Sequence, residues 1–172
     1  MPLKIKILKN STFKDKRGYY WTTWRKGDVK KIKFNHDKFS ISKKNVLRGF
    51  HFQYKNQQIK YVTVLKGKIL DCVIDLRKNS KTFGKIFKII LSEKNGLSLY
   101  VPDGFAHSYL TLDKENIVYY KLSNYYRPKY QSGIIWNDKN LKISWPIKKP
   151  KVSAKDKKLM SYWEFLKKFK YL

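Results

Sequence analysis

From Tyr61 to Ser123 the chain is a succession of short apolar runs cut by turn-forming residues, and this punctuation limits the fold more than anything else in it. The runs are YVTVLKGKILDCVIDL (61–76), GKIFKIILS (84–92), LSLYVP (97–102), FAHSYLTL (105–112) and NIVYYKLS (116–123), with EKNG, PDG and DKE between them. Gly, Pro, Asn and Asp at the breaks supply turn geometry, and the runs are too short and too rich in β-branched and aromatic residues for helices. Short strands at this even spacing predict a sandwich, a jelly roll or a closed barrel. Within the first run, Lys66-Gly67 reads as the turn of a hairpin. From residue 153 the pattern changes: SAKDKKLMSYWEFLKKFKYL opens on a serine and carries Leu159, Met160, Trp163, Leu166 and Phe169 as a helical stripe. The reading is a β domain over 1–152 with a C-terminal helical segment, 153–172, packed on it. There is no internal repeat and no low-complexity linker.

At 172 residues one domain is expected, and a 42% hydrophobic share with 16% aromatics excludes a disordered chain. No apolar run reaches membrane-spanning length, and the first residues lack the apolar core of a signal peptide. Cys72 is alone, so neither a disulfide framework nor a cysteine zinc site is expected, and a cytoplasmic setting fits. The net charge of +28 points toward an anionic partner: nucleic acid, an acidic membrane surface or a phosphorylated small molecule. Its spread as lysine along the chain, with arginine only at 17, 25, 48, 77 and 127, favours a solvated surface over a dedicated nucleic-acid site. It would still draw in a phosphate-bearing substrate.

The stretch NVLRGFHFQ (45–53) has the apolar content of a buried strand yet holds Arg48 and His51. Charged groups are rarely buried unless something pairs with them. In a regular strand, residues three apart face opposite sides, so Arg48 would face solvent and His51 the interior. A bulge at Gly49 would instead turn both into one cavity, and this is the favoured reading. Of the other histidines, His107 also lies in an apolar strand, in VPDGFAHSYLTL, and His36 lies in NHDKFS. Tyr120 alternates with Val118 and Leu122 and so faces inward; a phenol in a pocket can give a proton to a carbanion or enolate. Nucleotide-binding glycine loops, HExxH and GxSxG are absent. PDGFAH matches the Pro-x-Gly-x-x-His half of a metal-binding cupin pattern, but the other half has His51 and Gln53 where two histidines are needed. A tightly held Fe or Zn is therefore not expected.

KRGYYW, SKKNVLRGFHFQ, DCVIDLRKNSKTFGK, LYVPDGFAHSYLTL, YKLSNYYRP, IIWNDKNLKISWP and VSAKD stand together in an order and spacing that resemble the dTDP-4-dehydrorhamnose 3,5-epimerase family, over roughly residues 12 to 157. The resemblance implies a mainly β, cupin-type jelly-roll barrel with short C-terminal helices, usually a homodimer, acting without metal or organic cofactor. It implies inversion at C3, C5 or both, beside the C4 ketone of a nucleotide-linked sugar, where the carbanion delocalises into an enolate. Carried over by position, His51 is the base, Asp156 its orienting carboxylate and Tyr120 the proton donor. Lys60 and His107 fall near the sugar and its keto oxygen, where one donor is typically worth ~3–4 kcal/mol. Arg17, Arg48 and Lys155 fall at diphosphate positions, and Tyr126 at a packing position near the substrate. The sequence departs from the family at Thr22, where many members carry Glu, at His36 and Lys38, which replace Gln and Asn, and at Gln131, which replaces a frequent Glu. These positions surround the nucleotide, so a GDP-linked 4-keto heptose stands beside a dTDP-linked sugar as substrate.

Three other readings compete. A metal-dependent cupin enzyme would lose activity to chelators. A nucleic-acid-binding β-barrel would show steeply salt-dependent binding and indifference to His51→Ala. A family member with His51 or Tyr120 misplaced would isomerise or merely bind the sugar. The epimerase reading, with no nucleic acid and no membrane as partner, ranks first and the nucleic-acid barrel last.

Overall fold

The computed structural model describes residues 4–29 and 32–172. Its strands are β1 (Lys6–Lys9), β2 (Thr12–Asp15), β3 (Gly18–Trp21), β4 (His36–Lys43), β5 (Leu47–Gln53), β6 (Lys60–Lys66), β7 (Lys68–Asp75), β8 (Ile86–Ser92), β9 (Leu97–Val101), β10 (Phe105–Thr111), β11 (Glu115–Leu122) and β12 (Gln131–Gly133). One five-stranded sheet has the order β1-β9-β6-β11-β4 and a second the order β12-β5-β10-β7-β8, while β2 and β3 form a separate ribbon. The pairings within them are antiparallel. From β4 to β12 consecutive strands alternate between the two sheets, except β7 and β8, which pair with each other, and this alternation is the mark of a jelly roll rather than a meander.

The expected 61–76 hairpin is corrected here. β6 and β7 belong to different sheets, β6 pairing with β9 and β11, and β7 with β8 and β10. Gly67, at φ +80°, turns the chain across the sandwich instead of back along β6. A Cβ there would collide with the Glu115 carbonyl and the Asn116 side chain. A Lys-Gly step supplies a sharp corner, and the sequence pattern does not say which sheet receives the next strand.

Period-two alternation builds the interior. Val62 and Val64 of β6, Ile69 and Val73 of β7, Leu91, Leu99, Val101 and Val118 pack between the sheets and are almost wholly buried. Each such side chain contributes roughly 1.5–3 kcal/mol by leaving water. The alternate residues of β5, β7 and β10 (Phe50, Phe52, Cys72, Ile74, Ala106) face the other way and pack with Phe165 of α1 (Tyr162–Phe169). On the outer face of the first sheet, Val29, Tyr61 and Tyr100 form a third cluster with Trp24 and Phe34.

The C-terminal segment is less helical than its composition predicts. A short 3-10 turn, Asp156–Lys158, follows Ser153, whose hydroxyl accepts the Asp156 N–H at 3.0 Å. The helix itself starts at a capping box between Ser161 and Glu164. Leu159 and Met160 therefore precede it, and Trp163 points outward at 57% exposure. Its buried residue is Phe165, edge-on to Phe52 at 5.6 Å. Two overlapping patterns, a serine-capped turn and a serine-capped helix, had merged into one apparent stripe.

Candidate active site

Between the sheets lies a cavity of about 850 Å³, lined from β4 by Lys38 and Ser40, from β5 by Arg48 and His51, and from β6 by Lys60. His107 and Tyr109 of β10, Tyr120 of β11, and Tyr126, Gln131, Lys151, Lys155 and Asp156 complete its working surface. The size suits a ligand larger than a monosaccharide.

The question raised by Arg48 and His51 resolves at Gly49. His107 stands opposite His51, and Tyr109 opposite Arg48, so two steps on β10 face three on β5. The extra residue is a bulge, and it brings both side chains into the cavity. Gly49 sits at φ +111°, and a Cβ would strike the His107 carbonyl and come within 2.9 Å of Ser108 Cα. Only glycine fits there. The Arg48 guanidinium donates to Ser42 Oγ at 3.1 and 3.3 Å and remains exposed to the cavity.

His51 Nε2 lies 2.7 Å from Asp156 Oδ1, and the Gly49 N–H donates to the other carboxylate oxygen at 3.1 Å. Burial pushes the Asp156 carboxyl up, but the bonds from His51, Gly49 and Ser153 prevail and hold it below its ordinary value. With Nε2–H donating to a carboxylate, the His51 Nδ1 lone pair is the ring's free base. Tyr120 comes from the facing sheet, and burial, then Tyr109, raise its phenol well above the usual 10. It therefore stays protonated at neutral pH.

Lys60 lies beside them, its ammonium lowered to about 8 by burial and by repulsion from Lys38, against the attraction of Asp71. His107 Nε2 meets both oxygens of Asp71, at 3.0 and 2.9 Å, and burial holds the ring below its ordinary value despite that carboxylate. Lys38 is lowered by burial and its Nζ sits 5.5 Å from the Tyr126 ring centre. Lys155 donates to Gln131 at 3.2 Å. Among the described cavity residues, Lys38, Arg48, Lys60, Lys151, Lys155 and Lys157 oppose the single carboxylate Asp156. This is a cationic bowl suited to a polyanion.

Three residues of the expected substrate set do not line this cavity. Arg17 is on the exposed turn of the β2–β3 ribbon, paired with Asp15 at 2.6 Å. Thr22 follows β3, its N–H on the Ser11 carbonyl at 3.3 Å. His36 opens β4 with its ring stacked on Tyr125 at 5.3 Å, and burial lowers its basicity. Conversely, Asp71 and Tyr109 were not singled out from sequence. Both were findable: Asp71 is in phase with inward Ile69 and Val73, and Tyr109 with inward His107. Gln53, where the cupin pattern has a histidine, commits its amide to the Asn56 carbonyl at 2.7 Å and the Arg127 N–H at 2.6 Å. Among the described residues no three His, Cys, Asp or Glu side chains gather as metal ligands, and no helix is long and apolar enough to cross a membrane.

A jelly roll holding a carboxylate-oriented histidine on one sheet and a buried phenol on the other defines an acid–base pocket of the cupin type. The family profile described as dTDP-4-dehydrorhamnose 3,5-epimerase matches residues 3–164, and the chain belongs to that family of epimerases. It is 40% identical over 159 residues to dTDP-4-dehydrorhamnose 3,5-epimerase of Salmonella typhimurium, covering 88% of this chain and 87% of the relative. The enzyme of the same name from Methanothermobacter thermautotrophicus is 40% identical over 145 residues, covering 82% and 78%. Among solved structures, the Bacillus anthracis enzyme with TDP and PPi bound superposes with TM-score 0.87 at 39% identity, covering 91% of this chain and 93% of that one. The Legionella pneumophila epimerase in complex with dTDP-4-keto-L-rhamnose gives TM-score 0.87 at 33% identity, covering 91% and 87%.

Proposed function

We propose that this epimerase inverts C3 and C5 of a dTDP-linked 4-keto-6-deoxy sugar. One observation carries the reading: His51, with its Asp156 partner at 2.7 Å, and Tyr120 approach the cavity from opposite sheets. Inversion needs a base on one face of a ring and an acid on the other, and a sugar held between the sheets meets both.

The cations of the bowl, Arg48 and Lys155 among them, bind the diphosphate. His51 Nδ1 takes the proton beside the ketone, and Asp156 stabilises the imidazolium that forms. Lys60, protonated below about pH 8, holds the enolate oxygen. Tyr120 then delivers a proton to the other face. Arg17, Thr22 and His36 act in this scheme only from a second copy or at the nucleotide's outer end. A homodimer is part of the proposal, supported by the outward aromatic faces of the β2–β3 ribbon, where Phe13 stacks on Tyr20 at 5.3 Å. So are a cytoplasmic setting, which the lone buried Cys72 suits, and a role in supplying sugars for surface polysaccharide.

The test is proton NMR in D₂O with dTDP-4-keto-6-deoxyglucose beside a GDP-linked 4-keto heptose. Deuterium should enter C3 and C5 of the dTDP sugar at the higher rate. Faster exchange in the GDP sugar would reassign the nucleotide, and no exchange in either would overturn the function.

A further inference from the structure

The mechanism above leaves Tyr120 as a phenolate each time it delivers a proton, in a place that disfavours the charge. What faces that phenolate is another phenol. Tyr109 reaches in from β10, is 3% exposed, and sets its ring 6.4 Å from that of Tyr120. Packing alone would be served by phenylalanine, because the ring already contacts the interior valines and leucines. A buried hydroxyl needs a partner, and Tyr109 has one across the sandwich: Ser40 Oγ on β4, at 2.8 Å. Ser40 pairs in register with Val118, two residues before Tyr120, which puts Ser40 and Tyr120 on one inner face. Both hydroxyls bear on the Tyr120 phenol: Tyr109 raises its pKa and Ser40 lowers it. Ser40 is only partly buried and lines the open cavity, so the Tyr109–Ser40 pair reaches water.

We propose that Tyr109, anchored by Ser40, is a positioning residue that aims Tyr120 and returns its proton after each delivery. The step balances without a further reagent. The Tyr120 O–H bond breaks as the new sugar C–H bond forms; the Tyr109 proton passes to Tyr120 Oη; the Ser40 proton passes to Tyr109; water restores Ser40, and the hydroxide left is neutralised by the proton that His51 took from the sugar and releases. This relay rests on the reading of Tyr120 as the acid. It makes inversion, but not removal of the first proton, depend on a residue that acts through Tyr120 rather than on the sugar.

The experiment pairs two measurements on Tyr109→Phe and Ser40→Ala. In the free enzyme, ζ-¹³C-tyrosine NMR follows the Tyr120 phenol, assigned by its absence in Tyr120→Phe. Its resonance should move in both variants, and an unmoved resonance overturns the contact. With the dTDP sugar in D₂O, deuterium uptake at the first centre should stay within about twofold of the parent enzyme. Net inversion should fall about tenfold, a fraction of the effect of losing a placed acid outright. Equal loss of uptake and inversion, or no loss in either variant, overturns the relay. Absence of exchange in the parent enzyme overturns the proposed function and the relay with it. The carbon shift separates that failure from a missing Tyr109–Tyr120 contact.

Discussion

Among the described residues are two His–Asp pairs whose histidines stand on neighbouring strands, and they differ in almost everything but composition. His51 and His107 stand directly opposite each other across β5 and β10. The His107–Asp71 pair is sealed, with side chains 5% and 0% exposed, and both partners come from adjacent strands of one sheet. The His51–Asp156 pair is open on its histidine side, 30% and 6%, and its carboxylate arrives from a turn far along the chain. Burial holds His107 below its ordinary value, so at neutral pH it is uncharged. With Nε2–H on Asp71, its Nδ1 accepts rather than donates. In the proposed scheme the enolate oxygen therefore finds its donor in Lys60, not in His107. The same two residue types yield a base where the ring can reach a ligand and a fixed acceptor where it cannot.

His51→Asn should test that contrast hardest. Proton exchange and inversion should fall by about 10²–10⁴, with the dissociation constant for the nucleotide sugar nearly unchanged. Persistent turnover would remove His51 from the chemistry. Asp156→Asn comes next, about 10² in kcat, because an amide cannot stabilise the imidazolium and can hold the ring in the wrong tautomer. If kcat holds and only KM rises, Asp156 orients substrate rather than base. For the sealed pair the expectation reverses. Asp71→Ala should leave His107 Nε2 without its partner and cost about 1–3 kcal/mol of stability, seen in denaturant midpoints, with kcat down less than tenfold. A rate loss matching that of Asp156→Asn would show that both pairs titrate during turnover.

How much of this contrast the chain reveals beforehand depends on the distance over which each contact is made. Between residues 61 and 123 strand boundaries were legible because alternation and turn residues are local, and so was the inward face of Tyr120, whereas β1–β4 and β12 were not read from the sequence. The bulge at Gly49 was legible too, since a glycine amid LRGFHFQ has few other uses. The transfer of β7 to the second sheet was not, because a Gly67 corner has the same composition as a hairpin turn. His51–Asp156 crosses 105 residues and came only from resemblance. Asp71 and Tyr109 were within reach of alternation alone, had the inward register of β7 and β10 been followed beyond the histidine. Arg17 at the turn of the β2–β3 ribbon and Thr22 just after it lie outside the cavity lining, and no local pattern says where a ribbon folds.

The finest probe of the comparison is the pH dependence of Lys60, which sits between Lys38 and the sealed pair. Burial and Lys38 lower its ammonium to about 8, and in the proposed scheme the charged form is the one that holds the enolate. kcat/KM, which reports the free enzyme, should be level just below that pH, halved near it, and fall about tenfold per unit above. Lys60→Met should lower the plateau and abolish that limb. Two neighbours then move the limb in opposite directions. Lys38 repels the Lys60 charge, so Lys38→Met should carry the limb upward; Asp71 attracts it, so Asp71→Asn should carry it downward. Bound diphosphate also attracts the ammonium, placing the limb in kcat above the limb in kcat/KM. A limb that ignores Asp71→Asn would mean that the sealed pair serves packing alone. A limb that moves down would make Asp71 part of the electrostatics of the enolate without touching it.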